Sequence, residues 1–268
     1  MHKDTVSYCG QLVRDYDPDR FLLSMFAPAE RREALWALFA FNHEIAKTRE
    51  SVTETQLGLI RLQWWRDAVG TIYEGADVPE HEVLKALASA IKAHELPRAE
   101  FDALIYAREF DLEDVRPSTL EGLLNYADYT ATPLMKLAVQ ICGGDAAVEP
   151  VAPVAVNYAL AGLLRAVPIH AAQRRCYLPE DLMNEHGAFL NQLYDNKPGA
   201  GLLRVVEEIA GAHVGGVKTD NRFLKVSQRL SHIYMKKIKG LGFDVFHPKM
   251  QVQPAFKALR LVVSNPFG

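Results

Sequence analysis

Apolar positions recur at i, i+3 and i+4 along most of the 268-residue chain, and no stretch alternates with the period of two that a half-buried strand requires. One apolar helical run starts at Leu35 and places Leu38, Phe39, Phe41 and Ile45 at helical spacing. It stops in a polar patch of His43, Glu44, Lys47, Arg49 and Glu50, then resumes from Leu57 through Trp65. A helix this apolar is expected to line the interior of a bundle, its polar patch either looking into a cavity or lying along a rim.

Local signals divide the rest. Tyr8 to Tyr16 is amphipathic and ends at a turn, where Asp17 or Asp19 can cap a helix over Arg20 to Phe26. Pro28 opens the long helix as an early-turn proline, with Glu30 and Glu33 at its positive end. Thr53 and Gln56 read as a capping box for a helix over Leu57–Tyr73, closed by Gly75 and Pro79. Further helices are expected over Glu82–His94, Arg98–Val115, Leu120–Cys142 (capped by Ser118 or Thr119) and Pro153–Val167. A short one runs from Pro179 to Gly187, followed by Leu202–His213 and Phe223–Lys239. Two prolines predict breaks: Pro133 should kink or split its helix, and Pro168 should end the preceding one. Arg174 to Pro179 reads as extended, Gly215-Gly216 as a linker, and residues 243–268 as an irregular tail with a short helix at Phe256–Val263. No repeat or low-complexity segment intervenes, so the expectation is an all-α single domain, residues 1–268, of roughly ten helices.

Composition narrows the function classes. With 49% apolar and 24% charged residues the balance is that of an ordinary globular protein, and a net charge of −3 gives no global case for nucleic-acid binding. Cys9, Cys142 and Cys176 are far apart and lack C-x-x-C spacing, which argues against a zinc site or a disulfide framework and for a reducing compartment. The first residues show no signal-peptide core or transit character, and charges interrupt the apolar stretches before a membrane span is reached. The expectation is a cytoplasmic protein, or one bound to a membrane surface without crossing it. A processed mitochondrial protein would look the same.

Two helices carry polar residues one turn apart: His43, Ala46, Lys47 and Glu50 in the first, Arg165, Ala166 and His170 in the second. Ionising an allylic diphosphate inside a helical bundle needs carboxylates at such spacing to hold Mg²⁺. Neither helix supplies a pair, and Glu44 and Glu50 are six apart. Spacing alone favours a frayed helix end, with Glu44–Lys47 and Glu50–Lys47 as weak surface pairs, over a cavity wall. His170 reads most simply as a surface or capping histidine. Arg174 and Arg175 are either a solvated basic pair or an anion-binding spot, since guanidinium forks match phosphate oxygens. Trp64-Trp65 reads as a core pair with one face exposed. Lys236, Lys237 and Lys239 offset a helix dipole and could touch anionic lipid.

Three segments follow one another in a telling order: Leu38–Glu50, then Gly162–Pro179 with its Arg175-Cys176-Tyr177-Leu178-Pro179 end, then Gly242-Phe243-Asp244-Val245-Phe246. In this the chain resembles the squalene/phytoene synthase family over almost its whole length. The resemblance implies an isoprenoid-synthase-type helical bundle with a central cavity, where aspartates of the first two segments hold Mg²⁺ and a prenyl diphosphate. Here Ala46, Lys47, Ala166 and His170 stand at those aspartate positions, and Thr132 and Met135 stand where glycines are usual, while Arg165, Arg175 and Tyr177 are kept. The ligand or cavity residues so implied are His43, Glu44, Lys47, Glu50, Arg165, His170, Arg174, Arg175 and Tyr177, with no catalytic residue, metal ligand or cofactor among them.

The departures resemble one branch of that family, the squalene/phytoene-synthase-like assembly factors of respiratory complex I (NADH:ubiquinone oxidoreductase) and their α-proteobacterial relatives. This implies a non-catalytic role in building that complex, with a prenyl lipid, a prenyl diphosphate or a complex I subunit as partner. It also implies no nucleic acid, peripheral membrane contact, and a place in the cytoplasm or at the inner membrane of a bacterium, or on the matrix side of a mitochondrion. Two rival readings stand. One is an active prenyltransferase, in which Glu44, Glu50 and His170 hold Mg²⁺, or Lys47, Arg174 and Arg175 hold the diphosphate without metal. The other is an interaction scaffold whose cavity is filled.

Overall fold

The structure is a computed structural model that describes residues 6–113 and 115–263. All regular secondary structure among the described residues is helical. The chain forms two compact units: Met1–Glu113 with Pro133–Glu149 and Asn221–Phe223, and Asp114–Thr132 with Pro150–Asp220 and Leu224–Gly268.

In the first unit the helix Arg32–Ala46 is the axis. It packs against Glu82–His94 and against Tyr8–Tyr16. Every residue from Leu35 to Asn42 is buried, so the helix is enclosed on all sides and has no solvent stripe. Phe41 meets Trp65 and Phe101 edge-on, with ring centroids 5.6 and 5.5 Å away. Such pairs add about 0.5–1.5 kcal/mol each beyond the area they bury. The buried Trp36 indole donates to Ser24 Oγ at 2.7 Å, which satisfies its one polar atom. The next long helix, Thr55–Glu74, starts without the expected capping box: Glu54 is the N-cap and makes no side-chain bond to the helix. Thr55 instead donates its hydroxyl to Leu112 O at 3.1 Å. The Arg98 helix stops at Ala107, and the chain continues into a 3-10 turn, Phe110–Leu112. That turn brings Leu112 against Gly58, where a Cβ would lie 2.6 Å from Leu112 Cδ2. All three cysteines are free, and burial pushes the Cys9 thiol up to about 11 and the Cys142 thiol up to about 12. Neither is a thiolate at neutral pH.

Pro168 does not end its helix, and Pro133 does not split its own. The helix Leu120–Ile141 is capped by Thr119, whose Oγ1 accepts from Gly122 N at 3.1 Å, and it runs through Pro133. The helix Val151–Ala172 runs through Pro168. An interior proline costs a helix about 3 kcal/mol. Here buried residues flank each one: Ala131 and Leu134 around Pro133, Val167 and Ala171 around Pro168. Burying a few such side chains offsets that cost.

Val151–Ala172 is the one helix among the described residues long and apolar enough to cross a membrane, with Arg165 its only acidic, lysine or arginine residue. The expectation that charge interrupts every such stretch therefore fails for this one. Its buried positions, among them Val154, Leu160 and Leu164, make it the core of the second unit, packed on Leu190–Tyr194 and Ala200–Gly211. Leu190–Tyr194 was not expected from the sequence, and Ala200–Gly211 begins two residues earlier than its pattern suggests.

The Gly215-Gly216 segment is not a free linker. Asn157, buried inside the apolar helix, donates to Val214 O at 2.6 Å and accepts from Val214 N at 2.9 Å. Gln228, with its amide nitrogen facing Val217 O (3.0 Å) and its oxygen facing Val217 N (2.9 Å), makes the same double bond three residues on. The tail carries a helix at Lys257–Val263, and its last five residues lie outside the described residues.

Candidate functional site

The nine candidate residues divide between the two units. His43, Glu44, Lys47 and Glu50 stand in the first, at the end of the buried helix. The helix closes at Ala46 with Lys47 as its C-cap, and a single further turn, Thr48–Ser51, follows. Glu44 is only 5% exposed. Lys47 Nζ lies 2.5 Å from its Oε1, and Arg61 Nη2 lies 3.4 Å from its Oε2. One buried carboxylate is thus neutralised by two cations, each on a different oxygen. The expected surface pair Glu44–Lys47 forms, but its acid is inside the protein, where a lost partner is far more costly than in water.

His43 stacks on Tyr16, with centroids 4.6 Å apart. Burial first, and the Lys47 charge second, hold its proton affinity below the ordinary imidazole value, so it is neutral at pH 7. Glu50 is exposed.

The other five residues stand in the second unit. The Arg165 guanidinium lies 3.5 Å from the centre of the buried Tyr234 ring, a cation–π contact. Lys257 Nζ and Gln253 Oε1 reach the Tyr234 hydroxyl at 3.3 and 3.2 Å. Lys237 bonds the carbonyls of Met250 and Val252, and burial together with Arg165 lowers its proton affinity. Tyr177 lies between two rings, His170 at 4.7 Å and Tyr126 at 5.3 Å, so His170 is a packing partner rather than a surface cap.

Arg174 and Arg175 form the end of the Val151–Ala172 helix. Arg175 N bonds His170 O at 2.8 Å and Arg174 N bonds Ala171 O at 2.9 Å, the paired bonds of a Schellman turn. Arg174 occupies the left-handed position at φ 56°, where glycine is usual, and its side chain is exposed. Arg174→Gly is expected to raise the unfolding free energy by about 0.5–1 kcal/mol in urea titration, because the left-handed penalty exceeds the added freedom of the unfolded chain. A loss of stability instead would show that the guanidinium holds the fold.

Sequence reasoning missed Arg61, Tyr234 and Asn157. Each had a readable signal. Arg61 shares its helix with the buried Gly58, Leu62 and Trp65, so it is a cation beside an apolar stripe. Tyr234 sits among the buried Leu230, Ile233 and Ile238. Asn157 is a lone amide in an apolar helix. A polar side chain that is buried or half-buried needs a partner, and in all three cases the partner comes from a distant segment.

The profile of the squalene/phytoene synthase family matches residues 13–215. Among curated proteins, "NADH dehydrogenase (ubiquinone) complex I, assembly factor 6" of Bos taurus is 31% identical over 274 residues, covering 97% of this chain and 82% of the relative. The protein of the same name from Homo sapiens is 30% identical over 274 residues, with the same coverage of both chains. Among solved structures, a squalene synthase from Alicyclobacillus acidocaldarius superposes with a TM-score of 0.74 at 20% identity, covering 88% of this chain and 93% of that one. The last likeness establishes the isoprenoid-synthase fold.

Proposed function

Because the chain belongs to the squalene/phytoene synthase family, we propose that it uses that family's helical fold without its metal-dependent chemistry, as a factor in the assembly of respiratory complex I. The single observation that carries the loss of chemistry is Glu44, with both oxygens taken by Lys47 and Arg61. Mg²⁺ asks for several free oxygen ligands in near-octahedral array. The residues at hand do not fit it: Ala46 and Ala166 offer no ligand, Lys47 brings a positive charge, and His170 is packed on Tyr177. The same facts weigh against a rearranged prenyltransferase site, which would need Glu44 free.

The assembly role is supported by the mammalian relatives' names, carried by proteins that align over nearly the whole chain. On that reading the partner is a complex I subunit, while a prenyl lipid or prenyl diphosphate is supported by the family alone. The proposed place is the membrane at which complex I is built, reached from the bacterial cytoplasm or the mitochondrial matrix. A peripheral contact there is supported by the exposed Phe256, Leu259 and Val262 beside Lys257 and Arg260.

In cells lacking this chain, assembled complex I on a native gel is expected to fall several-fold, and both the wild-type chain and a Glu50→Ala/His170→Ala variant should restore it. Complex I at full level without the chain would refute the assembly role. Rescue by wild type but not by the variant would return the chemistry to those side chains.

A further inference from the structure

The segment His213–Asp220 and the helix Arg222–Gly240 border a cleft of about 810 Å³. Three cationic side chains line it, Lys218, Lys225 and Arg229, together with the imidazoles of His213 and His232. Asp220 is the single acid, and it is fully exposed and pairs with Lys225 at 3.2 Å, so it offsets little of that charge. The chain as a whole carries −3, so this concentration of positive charge does not follow from composition.

Lys225, Arg229 and His232 share one helix face, at i, i+4 and i+7. Tyr234, which stacks on Arg165, lies two residues beyond His232, about 200° round the helix. The cleft is therefore separate from the Arg165–Tyr234 group. Its wall is held in place by the double amide bonds from Asn157 to Val214 and from Gln228 to Val217. Gly216 adopts φ 73°, a left-handed conformation that favours glycine, and the space beside Gly215 and Gly216 is open, with nothing within 4 Å of where a Cβ would stand. Burial lowers the proton affinity of Arg229 and, with the neighbouring His232, of His213. Bound anionic charge would reverse both effects.

We propose that this cleft binds the phosphate or diphosphate group of a phosphate-bearing ligand. A wall held by side-chain clamps, with a guanidinium and two ammonium groups on one cavity, suits several phosphate oxygens at once and loses little entropy on binding. The group could belong to a soluble compound or to a lipid headgroup.

The test is calorimetric titration of the full chain with inorganic pyrophosphate, and co-sedimentation with phosphatidylcholine vesicles containing phosphatidylglycerol. Lys218→Glu/Lys225→Glu is expected to weaken binding tenfold or more, with the circular dichroism spectrum unchanged. The exposed His232→Gln should give a smaller loss of the same sign if the double variant folds poorly. Arg175→Ala, which alters the family's retained arginine, should bind as wild type. Pyrophosphate binding lost in the double variant supports a soluble source, and vesicle binding alone, lost in the same way, supports a headgroup. The proposal is overturned if neither probe binds, if only an acidic polypeptide such as polyglutamate binds, or if Arg175→Ala abolishes binding while the double variant keeps it. None of these outcomes bears on complex I assembly.

Discussion

Replacing Lys47 by alanine is expected to lower the unfolding free energy by about 2 kcal/mol. The variant leaves Glu44, 5% exposed, with Arg61 at 3.4 Å as its remaining cation. Breaking a fully buried pair costs about 3–5 kcal/mol. The lysine side chain here is 32% exposed, so water screens part of that effect and the loss is smaller. Lys47 also closes the C-terminus of the Arg32–Ala46 helix, where a cation adds about 0.3–1 kcal/mol against the dipole. Removing both members of the pair, as in Glu44→Leu/Lys47→Met, should recover most of the loss, because no charge is then left buried. Lys47→Asp, which restores the acid expected of the family at this position, should be worse than alanine, since it sets a second carboxylate beside Glu44. Urea titrations of the four proteins give the order wild type, double variant, alanine, aspartate. If alanine costs less than about 0.5 kcal/mol, Glu44 behaves as a solvated surface acid.

Gly201→Ala should be the most damaging single methyl in the second unit, costing about 3 kcal/mol. A Cβ at Gly201 would fall inside the contact radius of His186 O and within 3.1 Å of Ala188 N and Gly187 C. All three are backbone atoms, so no side chain can rotate away. Either the Ala200–Gly211 helix moves off the His186–Ala188 segment, or that segment gives up its turn at Gly187, which adopts φ 61°. Gly211→Ala, at the end of the same helix with nothing within 4 Å, should be neutral or mildly stabilising. Thermal unfolding of the two variants side by side separates a steric cause from a general intolerance of alanine in that helix. Equal midpoints would contradict the close approach.

The helices themselves were legible wherever local signals and burial agree. Tyr8–Tyr16 and Glu82–His94 have the bounds their patterns predict. The end at Pro168 and the split at Pro133 do not occur, because the local rule counts a lost hydrogen bond and says nothing of Leu134 or Val167, whose burial comes from the rest of the fold. The capping box at Thr53 does not form because the helix starts at Thr55, which makes Glu54 the N-cap, and Thr55 itself bonds Leu112, 57 residues away.

The site was legible in part. That Ala46 and Lys47 stand in the first motif is plain from the sequence, but what occupies Glu44 is not. Its second cation is Arg61, 17 residues on, in another helix. The glycine pair at 215–216 looked like a linker because glycine advertises freedom, and the two amide side chains that hold the segment come from Asn157 and Gln228. Sequence pattern reveals which residues can be buried. It does not reveal which distant partner will meet a buried charge, and the proposed loss of metal chemistry rests on that meeting.

The most direct test of that conclusion is to incubate the purified chain with labelled farnesyl diphosphate and Mg²⁺ and to measure released diphosphate. The expected result is release no faster than in buffer alone, unchanged by a chelator. Release that needs the protein and stops when Mg²⁺ is removed would contradict it, and would mean that Glu44 leaves Lys47 and Arg61 for a metal ion.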